Sequence, residues 1–262
     1  MTDTGIGAAL SAEVLKARRS RVPLITFLVV VLFPAAAALF LFIVADPQRA
    51  RDLGILGQKA QLSGMTADWP GLLTFATQVA AVASLLLQSF LATWIFGREF
   101  VDRTAHMLMA IPVSRAAVVA AKYLLYAGWA TLLGAWLTTL TLGVGLLMAL
   151  PGWSAAATAS SAFGMMQATL ATVLAITPIG YVASRTRGYL APLGCALGLL
   201  ALAQIAVILG WAAYVPWAIP AVAAGVDPSQ SAGGLSWLVV VATGLLGVWA
   251  TTQWWRGPDA GL

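Results

Sequence analysis

Charge is what this chain has least of. Only 9% of its 262 residues are Asp, Glu, Lys or Arg, against roughly 25% in soluble domains. Hydrophobic residues make up 61%, with a mean hydropathy of +0.91. No single soluble core buries that share of apolar surface, so the composition excludes a water-soluble domain and specifies an integral membrane protein. One cysteine, Cys195, lies in an apolar run, so no disulfide closes within the chain. Asparagine is absent, which removes any N-glycosylation acceptor, and the preference for Arg and Ala over Lys and Asn fits a GC-rich bacterium. The one histidine, His106, stands in a polar loop, so neither a Ser/His pair nor a histidine metal site can be assembled inside the membrane. There is no Gly-x4-Gly-Lys-Ser/Thr phosphate loop, so this chain cannot itself cradle ATP. No catalytic, cofactor-binding or metal-ligating set is expected.

What is present is a series of apolar runs. The segments 22–45, 71–97, 122–150, 158–183, 189–213 and 235–255 are each long enough to cross a hydrocarbon core of about 30 Å as a helix. Together they form one all-α transmembrane domain over residues 1–262. Pro23 suits the first turn of the first span, and Trp254, Trp255 and Arg256 anchor the last at an interface. Ahead of the spans, residues 5–21 place Leu10, Val14 and Leu15 at helical spacing and crowd Lys16, Arg18, Arg19 and Arg21 at the end. This reads as an amphipathic elbow helix whose basic residues meet anionic lipid; a disordered basic tail is the alternative. A signal peptide is disfavoured, because the following apolar run is too long for its core.

Six spans put both termini on one side. With the N-terminus cytoplasmic, only Arg49, Arg51 and Lys59 of the 14 basic residues lie outside. That positive-inside bias places the chain in a bacterial plasma membrane with both termini cytoplasmic. It also accounts for the net charge of +5 without nucleic acid.

The centres of the spans hold no Asp, Glu, Lys, Arg or His. Buried ionisable groups mark proton relays and ion pathways, so their absence argues against a proton-driven pump and an intramembrane enzyme. Gln78, Gln88, Gln167 and Gln204 do lie in the spans. They can line a substrate path or bond neighbouring helices, and the second reading is the stronger. Gly194 with Gly198, and Gly244 with Gly247, are candidates for close helix approach. After the fifth span, Tyr214, Pro216, Trp217 and Pro220 predict a short broken or re-entrant element at the outer leaflet.

The densest charge between spans lies in 98–115, with Arg98, Glu99, Asp102, Arg103 and Arg115, followed by Lys122. A helix beginning near Glu99 would place an acid at its favourable N-terminus. Val101, Ala105, Leu108 and Met109 would give it one apolar face, Pro112 would end it, and Ser114 would cap the next span. Such a helix can lie on lipid or fit a groove on another protein.

The pattern Glu99-x4-Thr104, Leu108, Pro112-Val113-Ser114-Arg115, then Lys122, resembles the signature of ABC-2 type permeases, especially the bacitracin-resistance and lantibiotic-immunity type. The resemblance implies a type V exporter-like fold in which 98–115 is a coupling helix on a separate ATP-binding subunit. On that expectation the docking residues are Arg98, Glu99, Asp102, Arg103, Thr104, Leu108, Met109, Pro112, Ser114 and Arg115. Glu99 and Arg115 are the charged handles, and Leu108 and Met109 the apolar insert. ATP and magnesium would sit on the partner, and two permease copies would line one path. The implied cargo is an antimicrobial peptide, drug or lipid-like molecule; an ion-exporting ABC-2 permease and a non-ABC scaffold or sensor are the alternatives. Where the family often has Gly before the Thr, this chain has Arg103, which is expected to continue a helix rather than turn.

Overall fold

The computed structural model describes residues 4–52, 66–105, 113–226 and 230–257. Among these every regular element is a helix. The helix α1 (Thr4–Arg18) is followed by α2 (Val22–Ala45), the short α3 (Pro47–Asp52) and α4 (Trp69–Val101). Next come α5 (Arg115–Leu147), α6 (Ala155–Thr186), α7 (Leu190–Ile208), the short α8 (Ile219–Ala223) and α9 (Gly234–Arg256). Six of them, α2, α4, α5, α6, α7 and α9, are long and apolar enough to span a membrane.

Local chemistry sets the ends. Asp68 Oδ1 accepts from the Gly71 N–H at 2.8 Å to open α4. Ser114 Oγ accepts from the Ala117 N–H at 3.2 Å to open α5, as N-cap hydroxyls and carboxylates do. α5 starts at Arg115, well before the apolar run that begins at residue 122, so Lys122 lies inside the helix rather than at its entrance.

α4 and α6 form the centre, with α6 packed along both α4 and α9. Small side chains make this possible: Ala168, Ala171, Ala175 and Ala183 of α6 are all buried, letting backbones approach closely. α6 and α9 meet closely at Gly247 of α9, where a Cβ would lie 2.3 Å from Thr177 Oγ1 and 2.6 Å from the Pro178 nitrogen. By contrast, a Cβ on Gly194 or Gly198 meets nothing within 4 Å; that pair makes no close contact among the described residues.

Polar side chains fasten the same centre. Tyr123 Oη of α5 donates to the Thr177 carbonyl at 3.0 Å and lies 2.7 Å from Thr251 Oγ1, so one phenol joins three helices. Tyr126 Oη donates to Gln88 Oε1 at 3.1 Å, and Gln88 Nε2 donates to the Thr169 carbonyl at 3.2 Å. At the far end, α7 stops at Ile208. Residues 212–214 form a 3-10 turn before α8. Trp217 Nε1 donates to the Ala175 carbonyl at 2.9 Å, tying this segment to α6. Pro220 sits in the first turn of α8, Tyr214 is exposed, and Pro216 lies between the two short elements.

Candidate functional site

The charges read from the sequence as one polar loop fall into two sets. Arg98 and Glu99 belong to α4, whose helix runs through Gly97 to Val101. No helix begins at Glu99; it lies near a C-terminus, where the helix dipole disfavours an acid. What compensates is a cluster of cations. Lys122 Nζ is 2.7 Å from Glu99 Oε1, and Arg98 Nε and Lys16 Nζ each lie 3.3 Å from the same oxygen.

A second carboxylate completes the cluster. Glu13 of α1 pairs through Oε2 with Arg98 Nη2 and, at 3.2 Å, with Lys122 Nζ. Its Oε1 is 2.6 Å from Lys16 Nζ. Lys122 Nζ also donates to the Ile95 carbonyl at 2.8 Å, and the Arg98 guanidinium sits 4.7 Å above the Trp94 ring. The four inner members are almost dry: Lys122 is 0% exposed, Glu13 and Glu99 2%, and Arg98 6%. Burial would raise the Glu13 carboxyl, but Lys122, Arg98 and Lys16 outweigh it and hold it at about 2. Glu99 Oε2 is buried without a hydrogen-bond partner.

The N-terminal helix is therefore part of the bundle. Its stripe Ala9, Glu13 and Ala17 is buried, against α5, where Leu10 and Val14 are only partly covered. Leu15, expected on the apolar face, is 50% exposed. Arg18 and Arg19 remain on the surface.

The second set faces outward. Asp102 and Arg103 are exposed, and Thr104 is half-buried. Arg103 does not continue the helix: its φ is +55°. The Arg103 N–H donates to the Phe100 carbonyl at 3.3 Å and the Thr104 N–H to the Glu99 carbonyl at 2.8 Å. This is a Schellman ending, with Arg103 in the left-handed position that glycine usually fills. Arginine thus adopts the turn, and its side chain adds a surface cation there.

Arg115, expected as a charged handle, is half-buried. Its Nη1 donates to the carbonyls of Trp255 at 3.2 Å and Gly257 at 2.8 Å, closing the C-terminal end of α9. Ser114 is exposed and used as the α5 cap. Leu108, Met109, Pro112 and His106 lie outside the described residues. Of the glutamines, Gln88 is buried with one hydrogen bond at each end of its carboxamide, Gln167 is half-buried, and Gln78 and Gln204 are exposed on α4 and α7.

Residues 9–204 match the family model for an ABC-2 family transporter protein. The chain belongs to the ABC-2 transporter family. No curated protein matches it. As an ABC-2 permease it is a multi-pass membrane transport subunit rather than a catalyst, and such permeases work with an ABC-type ATP-binding subunit. The matched region contains every member of the ion cluster. Sequence reading did not assign Glu13. Its signal is an acid placed four residues from Ala9 and from Ala17, the small-residue stripe of an otherwise basic helix.

Proposed function

We propose that this chain is the membrane-spanning subunit of an ATP-driven exporter that moves an antimicrobial peptide, a drug or a lipid-like amphipathic molecule out of the cell. ATP and magnesium bind on a separate nucleotide-binding protein, which docks on the 98–115 segment at a cytoplasmic face. Two copies of the chain pair around one path, with both termini cytoplasmic in a bacterial plasma membrane. The observation that carries the reading is the outward set, Asp102 and Arg103, at the turn that closes α4. It supplies charge of both signs at the end of the bundle where eleven of the 14 basic residues fall. Leu108 and Met109 would add the apolar insert. Glu99 acts from inside, by holding the end of α4 to α1 and α5.

The mid-span segments carry no ionisable residue, which disfavours the ion-exporting alternative. Membership of the ABC-2 family argues against a scaffold or sensor outside the ABC class. The test is affinity purification of the tagged chain from its native membrane, followed by identification of proteins carrying a phosphate loop. An Asp102→Arg/Arg103→Glu variant should lose the co-purified ATPase while retaining its own melting temperature. Recovery of no such protein, or equal recovery with the variant, refutes the docking assignment.

A further inference from the structure

Helices α2 and α4 touch at two levels and part between them. Towards one end Phe40 stacks on Phe75, ring centroids 5.5 Å apart. Towards the other, Val22 and Pro23 meet Leu91 and Trp94 around a void of only about 10 Å³. Between these contacts lies an open groove of about 610 Å³, lined by Val29, Phe33, Gln78, Val82 and Leu86 among others. Pro34 interrupts α2 at this level; it removes a ladder hydrogen bond and lets the helix bend.

The groove opens to the membrane side of the bundle, where Val82 is 43% and Leu86 38% exposed. Its walls are apolar apart from Gln78, and no ionisable side chain lines it. Among the described residues nothing hydrogen-bonds the Gln78 carboxamide. An amide without a partner in hydrocarbon is costly, so the slot makes one polar demand in an otherwise greasy surface. Phe33, Ala83 and Leu87 separate it from an inner void of about 20 Å³ beside Gln88 and Thr169. Those two residues already bond each other, and Gln88 also accepts from Tyr126, whereas Gln78 makes no such bond among the described residues.

We propose that this groove binds a neutral, chain-like amphiphile. Its hydrocarbon lies between α2 and α4, and an amide, ester or hydroxyl group of the ligand bonds Gln78. The volume falls within the roughly 300–1,000 Å³ of small-molecule sites, which are mostly apolar with a few placed polar groups. A charged headgroup or an ion finds no counter-charge here. That the ligand is cargo rests on the exporter reading; that it binds does not.

The test uses the full chain in lipid nanodiscs with a long-chain alcohol carrying a diazirine, and maps photolabelled peptides by mass spectrometry. Labelling should concentrate on residues 29–33 and 78–87, saturate, and be displaced by the unlabelled alcohol. Val82→Trp, which fills the slot, should abolish it. Gln78→Leu should weaken binding about two- to tenfold, the worth of one hydrogen bond, with an unchanged melting temperature. Non-saturable labelling equal to that of the lipid face of α9 around Leu238 and Leu245 overturns the proposal. So does a groove protected by a second copy, detected as cross-linking between Val82→Cys chains. No ATPase is present, so failure here leaves the docking experiment intact, and loss of ATPase capture leaves this result standing.

Discussion

Replacing Glu13 by Gln removes one charge from the ion cluster while keeping the shape of the side chain. Lys122 and Arg98, 0% and 6% exposed, would then share the single carboxylate of Glu99. Breaking a buried pair by neutralising one partner costs about 3–5 kcal/mol, because the other charge stays desolvated. A second route gives a similar size: a carboxyl held at about 2 instead of 4.5 corresponds to roughly 3 kcal/mol. The Lys16 contact adds little, since that side chain is 38% exposed and solvent screens it. Glu13→Gln should therefore destabilise by about 3 kcal/mol, a fall of about 6–12 °C in the melting temperature of a chain this size. The assay is thermal unfolding of the purified protein in detergent.

The sign with pH follows from the same carboxyl. Its folded value lies below the unfolded one, so its contribution is present above pH 4.5 and is lost as pH falls towards 2. The wild type should lose stability across that window, and Glu13→Gln should lose less. In a double-mutant cycle, Lys122→Met in the Glu13→Gln background should cost less than Lys122→Met alone, because both unpaired charges are then gone. Strict additivity, or a Glu13→Gln midpoint within the few tenths of a kcal/mol of an ordinary surface change, refutes a desolvated cluster.

Arg103→Gly should raise stability by about 0.5–1 kcal/mol, because the left-handed conformation costs an L side chain about 1–2 kcal/mol and glycine gives part of that back as unfolded-chain entropy; a lower melting temperature would contradict the turn. Gly247→Ala should destabilise by about 1–3 kcal/mol, because its Cβ would stand 2.3 Å from Thr177 Oγ1; an unchanged midpoint would mean α6 and α9 are not in close contact. Arg115→Ala should cost about 1–2 kcal/mol and speed amide exchange over residues 253–257, whose last carbonyls it holds; unaltered exchange would refute that role.

The spans were legible because membrane helices announce themselves by length and apolarity, and those signals are local. Their ends were less so. The second apolar run stops at residue 97, yet α4 passes straight through Gly97 to Val101. A Cβ there would lie 3.0 Å from the Tyr189 ring, so the glycine serves the approach of the turn after α6. Likewise Arg103 looked like a helix continuer by propensity, but two backbone hydrogen bonds across the end of α4 decide its conformation. Glu13 was illegible for a different reason. Its partners lie 85 and 109 residues away, and nothing in local spacing identifies an acid that answers cations on two other helices.

That long-range pairing also decides which charges a docking partner can reach. Arg98 and Glu99 lie in the last turn of α4 and point into the bundle, where their charge is spent within the chain. Arg103 follows within one more turn, but its left-handed backbone redirects the chain and leaves it and Asp102 on the surface. Exposed charges can be exchanged with a partner at small cost, whereas buried ones cannot be released without leaving an uncompensated ion. Reversing Asp102 and Arg103 should therefore change association with a partner and leave folding intact. Altering Glu13, Glu99 or Lys122 should change folding first, and association only as a consequence.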